Sequence, residues 1–116
     1  MLNTHYSIYN KTIYSADKFN SGAIIGFDNK EVAEQDAKVL GVALSNCPSA
    51  QQNISVLLIG EINLIAGEAI QAGDKLIADG KGGVIKANDT HKNAFAVALK
   101  SAEINRSIKC FINLSA

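Results

Sequence analysis

The chain has no tryptophan, one proline, one methionine and two cysteines, and its 11 basic side chains are cancelled by 11 acidic ones. Each shortage removes a class of protein. Balanced charge with no run of Lys or Arg excludes a surface built to neutralise a phosphate backbone, which needs a basic excess on one face. Two cysteines, Cys47 and Cys110, are too few for a disulfide framework, and neither stands in a CxxC or metal-ligand spacing. No apolar run approaches the ~20 residues of a membrane-spanning helix, so no membrane partner is expected. The longest, Val56-Leu57-Leu58-Ile59, is strand-sized. Met1-Leu2-Asn3-Thr4-His5-Tyr6 has neither a charged start nor an apolar run, so no signal peptide is expected.

What is present is a strongly apolar β sequence. Apolar residues make up 47% of the 116, enough for an ordered core, and the length suits one domain small enough to gain from self-association. Leu76-Ile77 and Val84-Ile85 flank Asp79-Gly80-Lys81-Gly82-Gly83, whose glycines permit a tight reversal, and this predicts a hairpin. Ala94 to Leu99 and Ile108 to Leu114 add two apolar runs of strand length. A similar phrase occurs earlier: Gly22, Asp28 and Lys30 stand 51 positions before Gly73, Asp79 and Lys81. Gly41-Val42-Ala43-Leu44 matches Ala96-Val97-Ala98-Leu99 at 55, and Ile54 to Leu58 matches Ile108 to Ile112 at 54.

The predicted fold is therefore mainly β: a compact barrel or sandwich of two degenerate, hairpin-containing repeats, one over about 22–65 and the other over about 66–116, packed around a shared core. In the first repeat, Phe27-Asp28-Asn29-Lys30 is the expected turn, and Ala33 to Lys38 suits one helical turn or a polar loop. Residues 1–20 find no repeat partner and read as an arm with a short strand. All three tyrosines, Tyr6, Tyr9 and Tyr14, fall there. They are the expected contact residues, since tyrosine offers flat apolar area with a hydroxyl handle and little rotamer entropy to lose. Removing Met1 to Tyr14 is expected to leave a folded body.

No constellation for chemistry emerges. Asp28, Asp74 and Asp79 sit at turns, where aspartate commonly accepts from nearby backbone N–H groups. His5 and His91 have no Cys, Asp or Glu at ligand spacing, and Gly-x-Ser-x-Gly, HExxH and P-loop patterns are absent. Asp79 to Gly83 lacks the following helix that a phosphate-cradling loop needs. Cys110 alternates into an apolar strand as a small buried hydrophobe, whereas Cys47, in the polar loop before Pro48, reads as an exposed thiol. A Cys47 to Cys110 bridge is allowed but nothing calls for it. No catalytic residue, cofactor or metal is expected. Lipoyl and biotinyl carrier domains are also small two-halved barrels, but the residues around Lys75 and Lys81 do not match their modified-lysine turns.

The phrase order Ala-Gly-Glu-Ala-Ile-Gln-Ala-Gly-Asp-Lys-Leu, Asp-Gly-Lys-Gly-Gly-Val, Phe-Ala-Val-Ala-Leu-Lys-Ser-Ala and Ile-Lys-Cys-Phe-Ile over Gly67 to Leu114 resembles tailed-phage capsid decoration (cement) proteins. Val39 to Leu44 repeats part of it, and the similarity runs from about Gly22 to Leu114, leaving the N-terminal segment unmatched. The resemblance implies a non-enzymatic protein made in the host cytoplasm and placed on the outer surface of the virion capsid. There it would bind the major capsid (coat) protein as a homo-oligomer, commonly a trimer, with no nucleic acid and no catalytic residues. A host-facing adhesin or a head-fibre base is the competing binding module.

Overall fold

The computed structural model describes residues 5–113; Met1 to Thr4 of the expected arm and Leu114 of the expected last strand lie outside the described residues. The strands are β1 (His5–Tyr14), β2 (Ile24–Gly26), β3 (Val39–Ala43), β4 (Asn53–Ile65), β5 (Lys75–Ala78), β6 (Val84–Lys86), β7 (Ala96–Ala98) and β8 (Ser107–Asn113). They form one curled sheet in the order β2-β3-β4-β8-β7-β5-β6, a half-barrel, with β1 along β4. Val56 and Leu57 pair with both β1 and β3, and Glu61 and Ile62 with both β1 and β8. Hence β1 occupies one edge of β4 while β3 and β8 share the other.

The glycine-rich hairpin forms as the sequence predicts, with Leu76 opposite Lys86 and Ala78 opposite Val84. Its earlier counterpart is a shorter reversal, closed by the Ile25 to Glu31 bridge and the Gly26 N–H bond to Lys30 O (2.9 Å). Ala33 to Lys38 adopts the polar loop, and among the described residues no helix forms. Three-residue strands such as β2, β6 and β7 cannot be held by their ladders. A hydrogen bond nets only ~0.5–1.5 kcal/mol, whereas burying one Ile or Val side chain yields ~1.5–3 kcal/mol. Packing therefore fixes them, in two clusters. The larger includes Ile24, Val42, Leu57, Ile62, Leu76, Phe95 and Ile112, and the smaller Ile13, Phe19, Ile25, Leu40, Ile54, Val56 and Leu58.

The spacings of 51, 54 and 55 seen in the sequence recur in the backbone bonding. Gly22 N–H donates to Ala43 O, and Gly73 N–H to Ala98 O; Phe19 and Cys47 exchange bonds, and so do Ile70 and Ala102. The recurrence reaches β1: Tyr14 opposite Asn53 corresponds to Ile65 opposite Ser107, and Asn10 opposite Leu57 to Glu61 opposite Phe111. The sequence comparison gives residues 1–20 no counterpart; the ladder supplies one, the second half of β4. Residue identities hide it, because Tyr14 stands for Ile65 and Lys11 for Ile62. The buried sets correspond as well: Ile13, Phe19, Leu40, Ile54 and Leu58 of the smaller cluster match Leu64, Ile70, Phe95, Ile108 and Ile112 of the larger.

Both cysteines are free and buried, in different clusters. For Cys47 this corrects the exposed-loop expectation. Its Sγ lies 3.0 Å from Ser49 O and 3.1 Å from Ser15 Oγ, and Ser15 Oγ accepts from Gln52 N–H (3.0 Å), so the polar loop folds back over a small satisfied network. Cys110 is fully buried, and burial pushes its thiol up from 9.0 to about 12. The unfolded chain releases this proton near its ordinary value while the fold retains it. Stability from this site is therefore intact below about pH 9 and falls as pH rises toward about 12. Val56 fills the corresponding place on β4, so Cys110→Val should keep the packing. Urea unfolding curves of the two proteins should agree at neutral pH and separate above pH 9, with the wild type falling more steeply.

Candidate interaction surface

β1 is long, aromatic and open. Among the described residues its only sheet partner is β4, so its outer edge is unpaired along most of its length. At its end Tyr14 O accepts from Asn29 Nδ2 (3.0 Å), so the first turn caps that edge. Tyr6 is 68% exposed, Ile8 61%, Tyr9 56% and Tyr14 58%, whereas Ile13 is buried against Ile54 and anchors the strand.

The pairing breaks register on either side of Tyr9: Ser7 faces Gly60, Tyr9 faces Ile59 and Asn10 faces Leu57, leaving Ile8 and Leu58 outside the ladder. Such irregularities re-aim side chains. The three tyrosines are accordingly not brought onto one face. Tyr6 lies beside Glu61, on the face opposite that of Ile62 and Leu64, while Tyr14 lies beside Asn53, on the face opposite that of Ile13 and Ile54. β1 thus presents apolar side chains on both sides of an open backbone edge, the arrangement that accepts an added strand.

The other singled-out groups are structural. Asp28 Oδ1 accepts from Lys30 N–H (3.2 Å), Asp74 Oδ2 from Gln71 N–H (2.9 Å), and Asp79 Oδ1 from Lys81 N–H (2.6 Å) and Gly83 N–H (3.0 Å). Two N–H groups of the glycine loop therefore point at its own aspartate, which holds the position an anion would need. His91 Nδ1 accepts from Asn88 N–H (3.0 Å), and its Nε2 lies 3.4 Å from Gln35 Nε2. Among the described residues no group of three His, Cys, Asp or Glu side chains could hold a metal ion. A hollow of about 670 Å³ is lined by Ile70, Gln71, Ala72, Ser101, Ala102, Glu103 and Arg106 and gathers no reactive set.

Sequence reasoning missed two features. Asp36, at φ 58°, accepts from Lys92 N–H and Asn93 N–H (3.0 Å each) and so clamps the first half of the chain to the loop before β7. Nothing local marks this role, since the partners are more than fifty positions away. Phe27, Ile65, Leu99 and Ile104 are large apolar side chains left on the surface, which only the folded arrangement reveals.

No curated protein matches the chain in sequence. The family model described as phage cement protein matches residues 8–112. Among solved structures, the head fiber gp8.5 N base of bacteriophage phi29 has a similar fold, with a TM-score of 0.69 at 15% identity over 90% of this chain and 93% of that one.

Proposed function

Because the chain belongs to the phage cement protein family, matched over residues 8–112, we propose that this phage head structural protein decorates the outer surface of the capsid, where it braces the coat protein. It is made in the host cytoplasm and added to the assembled shell. The observation that carries this reading is β1, an edge strand paired with β4 on one side and open along most of the other among the described residues, bearing Tyr6, Ile8 and Tyr9 in water. An extended coat segment laid along that edge would gain main-chain hydrogen bonds from β1 and side-chain burial from the tyrosines. Weak contacts of this kind become strong when several copies are held together, as a trimer over threefold positions would hold them.

The test is to mix the full chain with expanded, undecorated capsids and image the product. Density at every equivalent outer site is expected. Replacing Tyr6, Tyr9 and Tyr14 together by Ser, at positions exposed enough to leave the fold intact, should weaken capsid binding by at least about thirtyfold, equivalent to ~2 kcal/mol. Unchanged occupancy would remove the tyrosines from the contact. A second reading, the base of a head fibre, is favoured by the fold shared with the phi29 fibre base. Projections at a subset of head sites in the same images would support it over decoration.

A further inference from the structure

Resting on the reading that an extended coat segment lies along β1, we propose that β1 takes this segment in a single register set by two residues. Asn29 ends the open edge at Tyr14, and Lys11 calls for an acidic side chain opposite it in the added segment.

The groups that β1 offers follow from its far end. Ser15 N–H donates to Gln52 O (2.9 Å) and Ser15 O accepts from Gln51 N–H (2.8 Å), so the backbone of Ser15 faces the β4 side. Successive residues of a strand turn their N–H and C=O groups to alternate edges. The register is unbroken from Asn10 to Tyr14, so Ile13 and Lys11 also turn their backbone to β4, whereas Asn10, Thr12 and Tyr14 turn theirs outward. Two bonds agree with this alternation: Tyr14 O accepts from Asn29 Nδ2 (3.0 Å), and Ala16 N–H donates to Asn29 O (3.1 Å). Asn29 thus supplies one donor and one acceptor, as a residue of a neighbouring strand would. The first turn holds it there at φ 63°, with its own N–H bonded to Gly26 O (3.1 Å). On the other side the irregularity at Tyr9 breaks the spacing, so the regular stretch left open is Asn10 to Thr12.

Both ends of the sheet are closed by the chain itself. β2 is covered by Glu31 and by Val32, whose N–H bonds to Ile24 O (2.8 Å). β6 is covered by Ala66, by Gly67, whose N–H bonds to Val84 O (2.7 Å), and by Glu68, which accepts from Lys86 N–H (3.1 Å). Open edges invite aggregation, and proteins blunt them. Among the described residues no strand is left over to close β1, so its occupant comes from another molecule.

A second copy suits this edge poorly. If two β1 strands met antiparallel, bonding Asn10 and Thr12 of each would set Asn10 opposite Thr12 and Lys11 directly opposite Lys11, in the closer, non-hydrogen-bonded kind of pair. Like charges placed so are destabilising. The stretch of β4 alongside, Asn53 to Leu57, has no acidic side chain to offset them, and among the described residues Lys11 is exposed and in no ion pair. An acidic residue at that place turns repulsion into attraction, so Lys11 favours a different chain that carries one.

The test adds the full chain to undecorated capsids. Lys11→Glu should weaken binding at least about tenfold, and Lys11→Arg should leave it within about twofold. Thermal unfolding of each variant checks that it is folded. Hydrogen exchange on the bound chain should slow at the amides of Asn10 and Thr12 and leave that of Tyr14 as it is in the free chain. In Asn29→Asp, which loses the amide donor but suits the same positive φ, the slowing should reach Tyr14. A merely structural role for Asn29 would lower the melting temperature without moving this boundary. Absence of binding removes the decoration reading and the register with it. Binding unmoved by Lys11→Glu, or a boundary at the same residue in wild type and Asn29→Asp, overturns the register alone. Slowed exchange at Asn10 and Thr12 in the free chain at rising concentration would put a second copy on the edge and overturns it as well.

Discussion

Gly60→Ala should lower stability by roughly 3 kcal/mol or more, far beyond an ordinary surface change. Gly60 sits where β1 and β4 break register together, at φ 149°, a conformation that side chains rarely adopt. A Cβ there would overlap the carbonyl oxygen of Tyr6 and stand 3.2 Å from Ser7 Cα and 3.0 Å from Leu57 Cδ1. The first two obstacles are backbone on a paired strand, so no rotamer change relieves them; β1 must lift from β4. Gly73→Ala is the matched control. It also has positive φ (92°), but its Cβ would meet nothing within 4 Å, so only conformational strain of ~1 kcal/mol remains. Urea unfolding of both variants separates clash from strain, and equal losses would show that β1 does not press on β4 at this point.

Deleting residues 1–14 should abolish cooperative folding rather than yield the intact body that the sequence suggests. β1 pairs with β4 at nine positions and buries Ile13 against Ile54, Val56 and Leu58. Losing Ile13 alone costs ~1.5–3 kcal/mol, and each ladder bond nets ~0.5–1.5 kcal/mol. Domains of this kind have only ~5–15 kcal/mol in hand, so the sum approaches the whole. The expected result is a broad, non-cooperative thermal transition with dye binding to exposed apolar surface. The triple tyrosine variant, which keeps Ile13, should melt sharply. A deletion protein melting within a few degrees of wild type would show that β1 is dispensable to the fold, and the functional test could then use the truncated chain.

Much of the architecture is legible in the chain. Alternation and paired glycines reveal the hairpin at β5 and β6, and the spacings of 51, 54 and 55 recur between hydrogen-bonded positions such as Gly22 to Ala43 and Gly73 to Ala98. The aspartates at turns behave as their short polar side chains require. What failed to show was the partner of β1. A strand covered on one side and wet on the other keeps only the pattern of burial, not its residues, so Asn10 to Tyr14 and Glu61 to Ile65 share a place without sharing a sequence. Cys47 misled for a related reason: a polar loop can fold over a thiol when Ser15 and Ser49 supply acceptors, and Ser15, 32 positions away, is too distant in sequence to mark the site as closed.

The sequence by itself determined an all-β chain, because alternation is a local property. Tertiary structure alone decided which apolar side chains are left over. Val42 of β3 and Val97 of β7 stand in similar Val-Ala-Leu phrases, yet one is fully buried and the other partly exposed. The difference lies in what packs on top of each strand. No pattern within either strand records which of the two will be covered.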